Sequence, residues 1–181
     1  MTIGKHIANR NGLLKINLKN LSRNYNFLRK HVKPSRVASV LKSNCYGLGL
    51  NKVAKKLVEL GCKDFFLTSY EEAITLKKIT SKGNVFLLNG LIGQSEIEIS
   101  NIFKYNIIPV INSLSELKIF YKFLRKLKVN HKLTLHFDTG INRIGISQIE
   151  EESVINFCLQ KKLNVFCVMS HLISSDEIKS R

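Results

Sequence analysis

The chain has 181 residues, of which 44% are hydrophobic, and a formal net charge of +16. This length and apolar content are enough for one domain with a sizeable core. No run of about 18 apolar residues occurs, so no membrane span is expected. Residues 1–20 also lack the apolar segment of a secretory signal, and we therefore expect a cytoplasmic protein.

The charge and the cysteines each argue against a class of binding site. The lysines are scattered along the chain, and no RNA- or DNA-binding signature accompanies them, so a nucleic-acid partner is not expected. The cysteines form no CxxC pair, which argues against a zinc site and against a disulfide framework. The chain has four cysteines, Cys45, Cys62, Cys158 and Cys167. We interpret all of them except Cys45 as small buried hydrophobic residues.

In chain order, short apolar runs alternate with segments of helical period. The runs that read as strands are "LLKINL" (13–18), "RVASVL" (36–41), "DFFLTS" (64–69), "NVFLL" (84–88), "IIPVI" (107–111), "KLTLHF" (132–137) and "LNVFCVMS" (163–170). Between them, apolar residues at helical spacing share one face. These faces are Leu21/Tyr25/Leu28/Val32, Val53/Leu57/Leu60 and Leu114/Leu117/Tyr121/Leu124.

Helix starts are marked by Ser followed three residues later by Glu, the capping box, in which each side chain satisfies an unpaired backbone N–H. The pattern follows an apolar run four times, at Ser69/Glu72, Ser95/Glu98, Ser113/Glu116 and Ser147/Glu150. Continuous apolar strands that alternate with helices indicate an α/β fold with parallel strands covered by helices.

Two α/β architectures fit this alternation, a doubly wound open sheet and a (β/α)8 barrel. The Gly-rich phosphate turn of the open sheet is incomplete in "GLGLNK" (47–52), so the steady repeat favours the barrel. Only six barrel strands are present, and a fifth capping box, Ser174/Glu177, begins a helix that is not completed by Arg181. We therefore predict an incomplete (β/α)8 barrel over residues 36–181, with residues 1–35 forming an N-terminal strand and helix that lead into it.

Polar side chains follow the predicted strands repeatedly at their C-terminal ends. In parallel barrels this rim is where active sites are built. The residues concerned are Lys42, Asn89, Asn112, Asp138, Arg143 and His171.

Lys42 ends an apolar strand and precedes a loop that contains Tyr46, Gly47 and Gly49. A salt bridge or a side chain reaching into solvent would by itself explain such a lysine. A partly desolvated lysine is also a nucleophile that can bond to a carbonyl cofactor. Glycines let the backbone approach a cofactor, and a tyrosine hydroxyl can bond a phosphate, so the combination favours pyridoxal phosphate.

The segment "HFDTGINRIG" (136–145) contains the D-T-G of aspartic proteases, but those enzymes pair two such loops and this chain has one. We interpret Arg143 as an anion clamp, with a structural ion pair to Asp138 or a nearby acid as the alternative. His171 follows an apolar strand, and its rim position favours a place beside a cofactor ring over a core histidine.

These motifs resemble those of the alanine racemases. "VLKSNCYGLG" (40–49) is similar to the pyridoxal-lysine motif of that family, and "HFDTGINRIG" and "MSHLISSDE" (169–177) are similar to its next two landmarks, in the same order. "PVINSLSEL" (109–117) and "LKINLKNLSRNYNFLR" (14–29) are similar as well. The resemblance extends from about Leu13 to Glu177.

The resemblance implies an isomerase that interconverts L- and D-alanine for peptidoglycan. It further implies a pyridoxal phosphate barrel joined to a C-terminal β-domain, in a homodimer with shared active sites. By motif, Lys42 would hold the cofactor and act as the base for the D-enantiomer, and Tyr46 would bond the cofactor phosphate. Arg143 would contact the ring oxygen and the substrate carboxylate, and His171 would lie beside the ring.

The chain departs from the family pattern in three places. His136 stands where the family often has a carbamylated lysine, so a carbamate cannot form there, although a histidine can still bond Arg143. Leu48 replaces the histidine of Y-G-H-G. The family's second base, a tyrosine from the partner subunit, its arginine facing the pyridine nitrogen and its main phosphate loop all belong to a C-terminal half beyond these 181 residues.

We therefore expect the N-terminal part of a racemase, either a fragment or one product of a split or truncated gene, without turnover of its own. A separate C-terminal half is then a candidate partner. The alternatives are a single-domain barrel protein that binds pyridoxal phosphate without catalysis, and a truncated remnant that does not fold stably.

Overall fold

The structure is a computed structural model that describes residues 14–175 and residue 177. Within these residues, helices and strands alternate almost without exception. The elements in chain order are α1 (Leu18–His31), β1 (Ser39–Val40), α2 (Lys42–Tyr46), α3 (Leu50–Glu59), β2 (Asp64–Leu67), α4 (Tyr70–Ile79), β3 (Asn84–Leu87), α5 (Glu96–Lys104), β4 (Ile108–Ile111), α6 (Leu114–Leu127), β5 (Lys132–Phe137), α7 (Glu151–Lys161) and β6 (Asn164–Ser170).

The strands form one sheet in the order β1-β2-β3-β4-β5-β6, and every neighbouring pair is parallel. Sequential order with parallel pairing is the arrangement of a (β/α) barrel rather than of a doubly wound sheet, in which the strand order reverses. The predicted six barrel strands are confirmed. In the described part of the chain, β1 and β6 are the two edges of the sheet.

The core has two parts, one on each face of the sheet. The larger part lies between the sheet and its helices and includes the fully buried residues Phe65, Leu76, Leu117 and Phe120. The smaller part, which we call the inner cluster, lies on the concave face of the sheet. Its members are Phe66, Phe86, Leu88, Ile108, Val110, Phe166, Cys167 and Met169. Stacking of Phe66 on Phe86, with ring centroids 4.3 Å apart, makes this face a continuous apolar surface.

The predicted helix faces of α3 and α6 are buried or half-buried, but the face of α1 is not covered along its whole length. Tyr25 is buried there, whereas Leu28 and Val32 are exposed. The cysteine interpretation holds for Cys62 and Cys158, which are buried free thiols, and less fully for Cys167, which is half-buried.

The N-terminal strand predicted in residues 13–18 is wrong for the residues that the structure describes there. Leu14–Asn17 have no regular structure, and α1 begins at Leu18. Asn17 is the reason, because its side-chain oxygen accepts the backbone N–H groups of Lys19 at 3.0 Å and of Asn20 at 3.1 Å. This cap favours the helix over an extended chain. Leu13 lies outside the described residues.

Three of the four capping serines begin a helix as predicted. The Oγ atoms of Ser69, Ser95 and Ser113 accept the backbone N–H three residues later, and Ser95 with Glu98 makes the full reciprocal box. The prediction at Ser147 is wrong. Helix α7 begins at Glu151, after Glu150, and has no side-chain cap. The chain before Ser147 is tied to β5 instead, because Ile146 N donates to His136 O at 2.7 Å.

Ser95 and Ser147 stand in the same Ser-x-x-Glu motif, but only Ser95 caps a helix, so substitutions at the two serines test the cap. Substituting Ser95→Ala should lower the free energy of unfolding by about 1 kcal/mol, because one backbone N–H of α5 loses its acceptor. Ser147→Ala removes the same hydroxyl from an exposed residue that caps nothing and should change stability by less than about 0.5 kcal/mol. Urea denaturation of both variants measures the difference, and equal losses would contradict the cap assignment.

The helix predicted at Ser174/Glu177 lies mostly outside the described residues; within them, Glu177 N donates to Ser174 O at 3.1 Å. Over the part of the chain that the structure describes, no helix is both long and apolar enough to span a bilayer.

Candidate functional site

The segment after β1 turns in the left-handed sense. Ser43, Asn44, Cys45 and Tyr46 have φ values of 55°, 52°, 56° and 54°. None of them is glycine, and the left-handed helical conformation costs roughly 1–2 kcal/mol for each ordinary residue. Strain of this kind persists only where the surroundings hold the chain in place. The turn therefore has to be stabilised by contacts with the rest of the fold.

Three contacts stabilise this left-handed turn. The carboxylate of Glu72, at the start of α4, accepts Asn44 N at 2.6 Å. The side chain of Asn44 in turn accepts Leu50 N at 2.8 Å and so connects the turn to α3. Cys45 is 2% exposed and anchors the turn in the core. Burial, with a smaller effect from Glu72, raises the pKa of the Cys45 thiol to about 11, so that Cys45 is a neutral packing group near pH 7.

The turn leaves Lys42 on the wall of an open cavity at the C-terminal ends of the strands. The cavity has a volume of about 540 Å³, within the range of roughly 300–1,000 Å³ that small-molecule sites occupy. We call it the Lys42 cavity. Its lining residues are Ala38, Val40, Lys42, Tyr46, Phe66, Thr68, Leu88, Asn89, His136, Arg143, Ile144, Met169 and His171.

The apolar and polar sides of the Lys42 cavity are distinct. Phe66, Leu88 and Met169 belong to the inner cluster and form an apolar floor. The lysine is half-buried at the rim, with Nζ 5.9 Å from the centroid of the exposed Tyr46 ring. A flat apolar floor below an amine is suited to an aromatic ligand with a reactive carbonyl.

The loop that bears Arg143 folds back on the end of β5. Asp138 N donates to Ile146 O at 2.9 Å, and Ile146 is itself bound to His136, so the loop is closed at both ends. At Gly145 φ is 133°, and a Cβ there would lie 2.8 Å from Asp138 N, so only glycine fits. This closure places the exposed Arg143 over the cavity.

Asp138 serves the loop rather than the cavity. Its carboxylate accepts Gly140 N at 2.9 Å and Asn142 N at 3.1 Å, and these bonds hold its pKa below the usual range. It forms no ion pair with Arg143, so the part of the alternative interpretation that paired Arg143 with Asp138 is wrong.

In the wall of the cavity, the buried His136 pairs with the half-buried Asn112, which lies behind it. His136 is 3% exposed, and its Nδ1 lies 2.8 Å from the side-chain oxygen of Asn112. Burial lowers the pKa of His136, as do the nearby His171 and Arg143, while Asp138 acts in the opposite direction. The imidazole is therefore neutral near pH 7.

Of the six predicted rim residues, the structure brings Lys42, Asn89, Arg143 and His171 to the Lys42 cavity. Asn112 lies one layer behind the wall, and Asp138 lines a neighbouring surface depression.

Glu72 and Glu116 support the site, although their positions in the sequence indicate only capping partners. The buried Glu116 accepts Leu91 N and, at 2.7 Å, Asn112 N. The glycine that permits this contact, Gly90, was the available signal in the sequence.

The sequential parallel sheet, with a rim lysine above an apolar floor, defines the class of (β/α) barrel proteins whose site lies at the C-terminal ends of the strands. Residues 16–181 match the family described as "Alanine racemase, N-terminal domain", and the chain belongs to that family.

Individual relatives agree with this assignment. The chain is 38% identical to the alanine racemase of Rickettsia canadensis, over 91% of this chain and 46% of the relative. Among solved structures, alanine racemase from Bartonella henselae, which holds covalently bound pyridoxal phosphate, superposes with a TM-score of 0.84 at 29% identity, over 91% of this chain and 48% of that one.

The alanine racemase of a D-cycloserine-producing Streptomyces lavendulae shares the fold, with a TM-score of 0.82 at 22% identity, over 90% of this chain and 43% of that one. The chain spans about half the length of the curated relatives that it matches.

Proposed function

We propose that this chain is the cofactor-binding N-terminal part of an alanine racemase and that its Lys42 cavity holds pyridoxal phosphate. The observation that carries the proposal is the convergence of Lys42, Tyr46, Arg143 and His171 on one cavity from three separate segments of the chain. The residues present fit the cofactor: the floor accommodates a flat ring, the amine of Lys42 can bond its carbonyl, and the remaining polar groups are donors for its oxygens.

This proposal gives each of these four side chains a defined role. Lys42 holds the cofactor through its amine and, once released, removes or returns the α-proton on the face used by the D-enantiomer. Tyr46 donates a hydrogen bond to the phosphate. Arg143 binds the substrate carboxylate and the ring oxygen, and His171 lies beside the ring.

The cofactor, when bound, supplies an electron sink for the charge left at the α-carbon. Racemisation also requires a second base on the opposite face of that carbon. We propose that this base comes from the C-terminal half of the racemase in a partner subunit of a homodimer. Supply of D-alanine for peptidoglycan and a cytoplasmic location complete the proposal and rest on the family. By itself the 181-residue chain is expected to show no racemase turnover.

The experiment that tests the proposal is incubation of the purified chain with pyridoxal phosphate, reduction with borohydride, and peptide mapping by mass spectrometry. We expect the pyridoxyl group on Lys42, because among the lysines that the structure describes only Lys42 lines the cavity. Lys42→Arg should abolish the label, whereas Lys52→Arg, on the exposed side of α3, should leave it unchanged. Label spread over surface lysines would contradict the proposal.

A further inference from the structure

His136 carries a buried nitrogen that has no hydrogen-bond partner. Within the described part of the chain, its Nε2 is one of three buried side-chain nitrogen or oxygen atoms without one. An unpaired buried polar atom costs about 1–3 kcal/mol, so such atoms are uncommon and call for an explanation. His136 also lines the Lys42 cavity. The unpaired atom therefore belongs to the functional site rather than to the packing between sheet and helices.

The neighbouring Asn112 determines which ring nitrogen of His136 bears the proton. Its amide nitrogen donates to Leu88 O at 3.1 Å and to Val110 O at 2.9 Å, so both amide hydrogens are used. The amide oxygen is thereby turned toward His136 Nδ1, 2.8 Å away, and an oxygen can only accept. Nδ1 must carry the hydrogen, and Nε2 of the neutral ring is left with a lone pair.

The orientation of Asn112 is itself held from behind. The carboxylate of Glu116 accepts Asn112 N at 2.7 Å and also accepts Leu91 N, and Glu116 is fully buried. Glu116 thus fixes the backbone at Asn112, and the bonds of the Asn112 amide to Leu88 O and Val110 O fix the oxygen that faces the imidazole. Such a network orients a side chain more strictly than packing alone.

The ionisable groups that face His136 are His171 at the end of β6 and Arg143 and Asp138 on the loop after β5. Of these, only the guanidinium of Arg143 is always a hydrogen-bond donor, and it can bond only to an acceptor such as the lone pair of Nε2. We propose that His136 is a positioning residue: Asn112 locks it as the Nδ1–H tautomer so that Nε2 presents a neutral acceptor to the guanidinium of Arg143. The identity of the ligand that Arg143 binds rests on the proposed function, whereas the contact between His136 and Arg143 does not.

The arrangement is sensitive to acid. Protonation would turn Nε2 from an acceptor into a donor and would place a second cation beside Arg143 and His171. Because burial and these neighbours lower the pKa of His136, the acceptor form predominates above a pH that lies below the ordinary value of about 6.5 for histidine. The Arg143 contact is therefore expected above that pH and is lost as the pH falls through it.

The tautomer can be read directly by long-range proton–nitrogen NMR of the whole chain without cofactor. There are only 5 histidines, so His136 is assigned by the signal that disappears in His136→Gln. We expect a protonated Nδ1 and an unprotonated Nε2, the reverse of the preference of a free histidine. Asn112→Leu should remove this preference. A protonated Nε2 in the neutral wild-type ring would overturn the proposal.

The contact with Arg143 is tested by titrating the same signals. Arg143→Met should raise the pKa of His136 by about half a unit or more, because it removes a nearby cation and the proposed hydrogen bond to the neutral ring. Arg125→Met removes an equal charge from exposed α6, beside a different cavity, and is the matched control. Equal shifts in the two variants would overturn the proposal. Both measurements are made without pyridoxal phosphate, so a chain that fails to take up cofactor would contradict the proposed function and leave this test intact.

Discussion

Replacing Gly90 with alanine is expected to lower the free energy of unfolding by about 3–5 kcal/mol. Gly90 has a φ of +60°, and an added Cβ would overlap the Glu116 carboxylate and lie 2.5 Å from Val110 O. Relief requires movement of Glu116 from a fully buried position, where it accepts Leu91 N and Asn112 N. The cost therefore combines overpacking with the loss of buried hydrogen bonds.

Gly93 provides the control for Gly90. It has a similar backbone conformation, with a φ of +79°, but a Cβ there would meet nothing within 4 Å. Gly93→Ala should cost only the left-handed strain, about 1 kcal/mol. Urea unfolding of the two variants separates strain from overlap. Losses of equal size would mean that Glu116 can move freely, and the account of the buried network behind Asn112 would then be wrong.

Removing the Glu72 carboxylate is expected to loosen the left-handed turn that carries Lys42. Glu72→Ala deletes the acceptor for Asn44 N and should lower the free energy of unfolding by about 1–2 kcal/mol, the contribution of a hydrogen bond to a charged group at a partly exposed site. The larger effect should fall on the site. With the turn released, the share of pyridoxyl label found on Lys42 should drop by roughly 10-fold, as about 1.4 kcal/mol is a factor of ten.

The neighbouring glutamate is the control for this second prediction. Glu71 lies in the same first turn of α4, and its exposed carboxylate accepts the Ser69 hydroxyl at 2.9 Å. Glu71→Ala should leave the label on Lys42 unchanged and should alter stability by less than about 1 kcal/mol. If both variants label Lys42 as the wild type does, the turn does not depend on Glu72.

The sheet was predictable because each strand is marked by its own short segment of sequence. Each barrel strand is a short apolar run, and burial on both faces of a parallel sheet requires such runs whatever the rest of the chain does. Ser69, Ser95 and Ser113 mark helices for the same reason, since a cap needs only neighbouring residues. Ser147 has an identical motif but fails, because the Ile146–His136 bond, made between distant parts of the chain, decides where α7 begins.

The supports of the site were not predictable from local pattern. The left-handed turn after Lys42 is made of serine, asparagine, cysteine and tyrosine, and of these only asparagine is enriched at positive φ, too little to predict four such residues in a row. Glu98 and Glu116 occupy the same place in the same motif. One closes its capping box at the surface, and the other turns inward to bind two loops. Only the fold, which brings Leu91 and Asn112 to Glu116, distinguishes the two.

The division of the core between the two faces of the sheet determines where this protein could be re-engineered. Phe66, Leu88 and Met169 form the cavity floor yet belong to the inner cluster, separate from the large cluster under the helices. Substitutions confined to these three positions would change the shape of the floor without touching the packing between the sheet and its helices. The width of the cavity and the packing of the helical layer can therefore vary largely independently of each other.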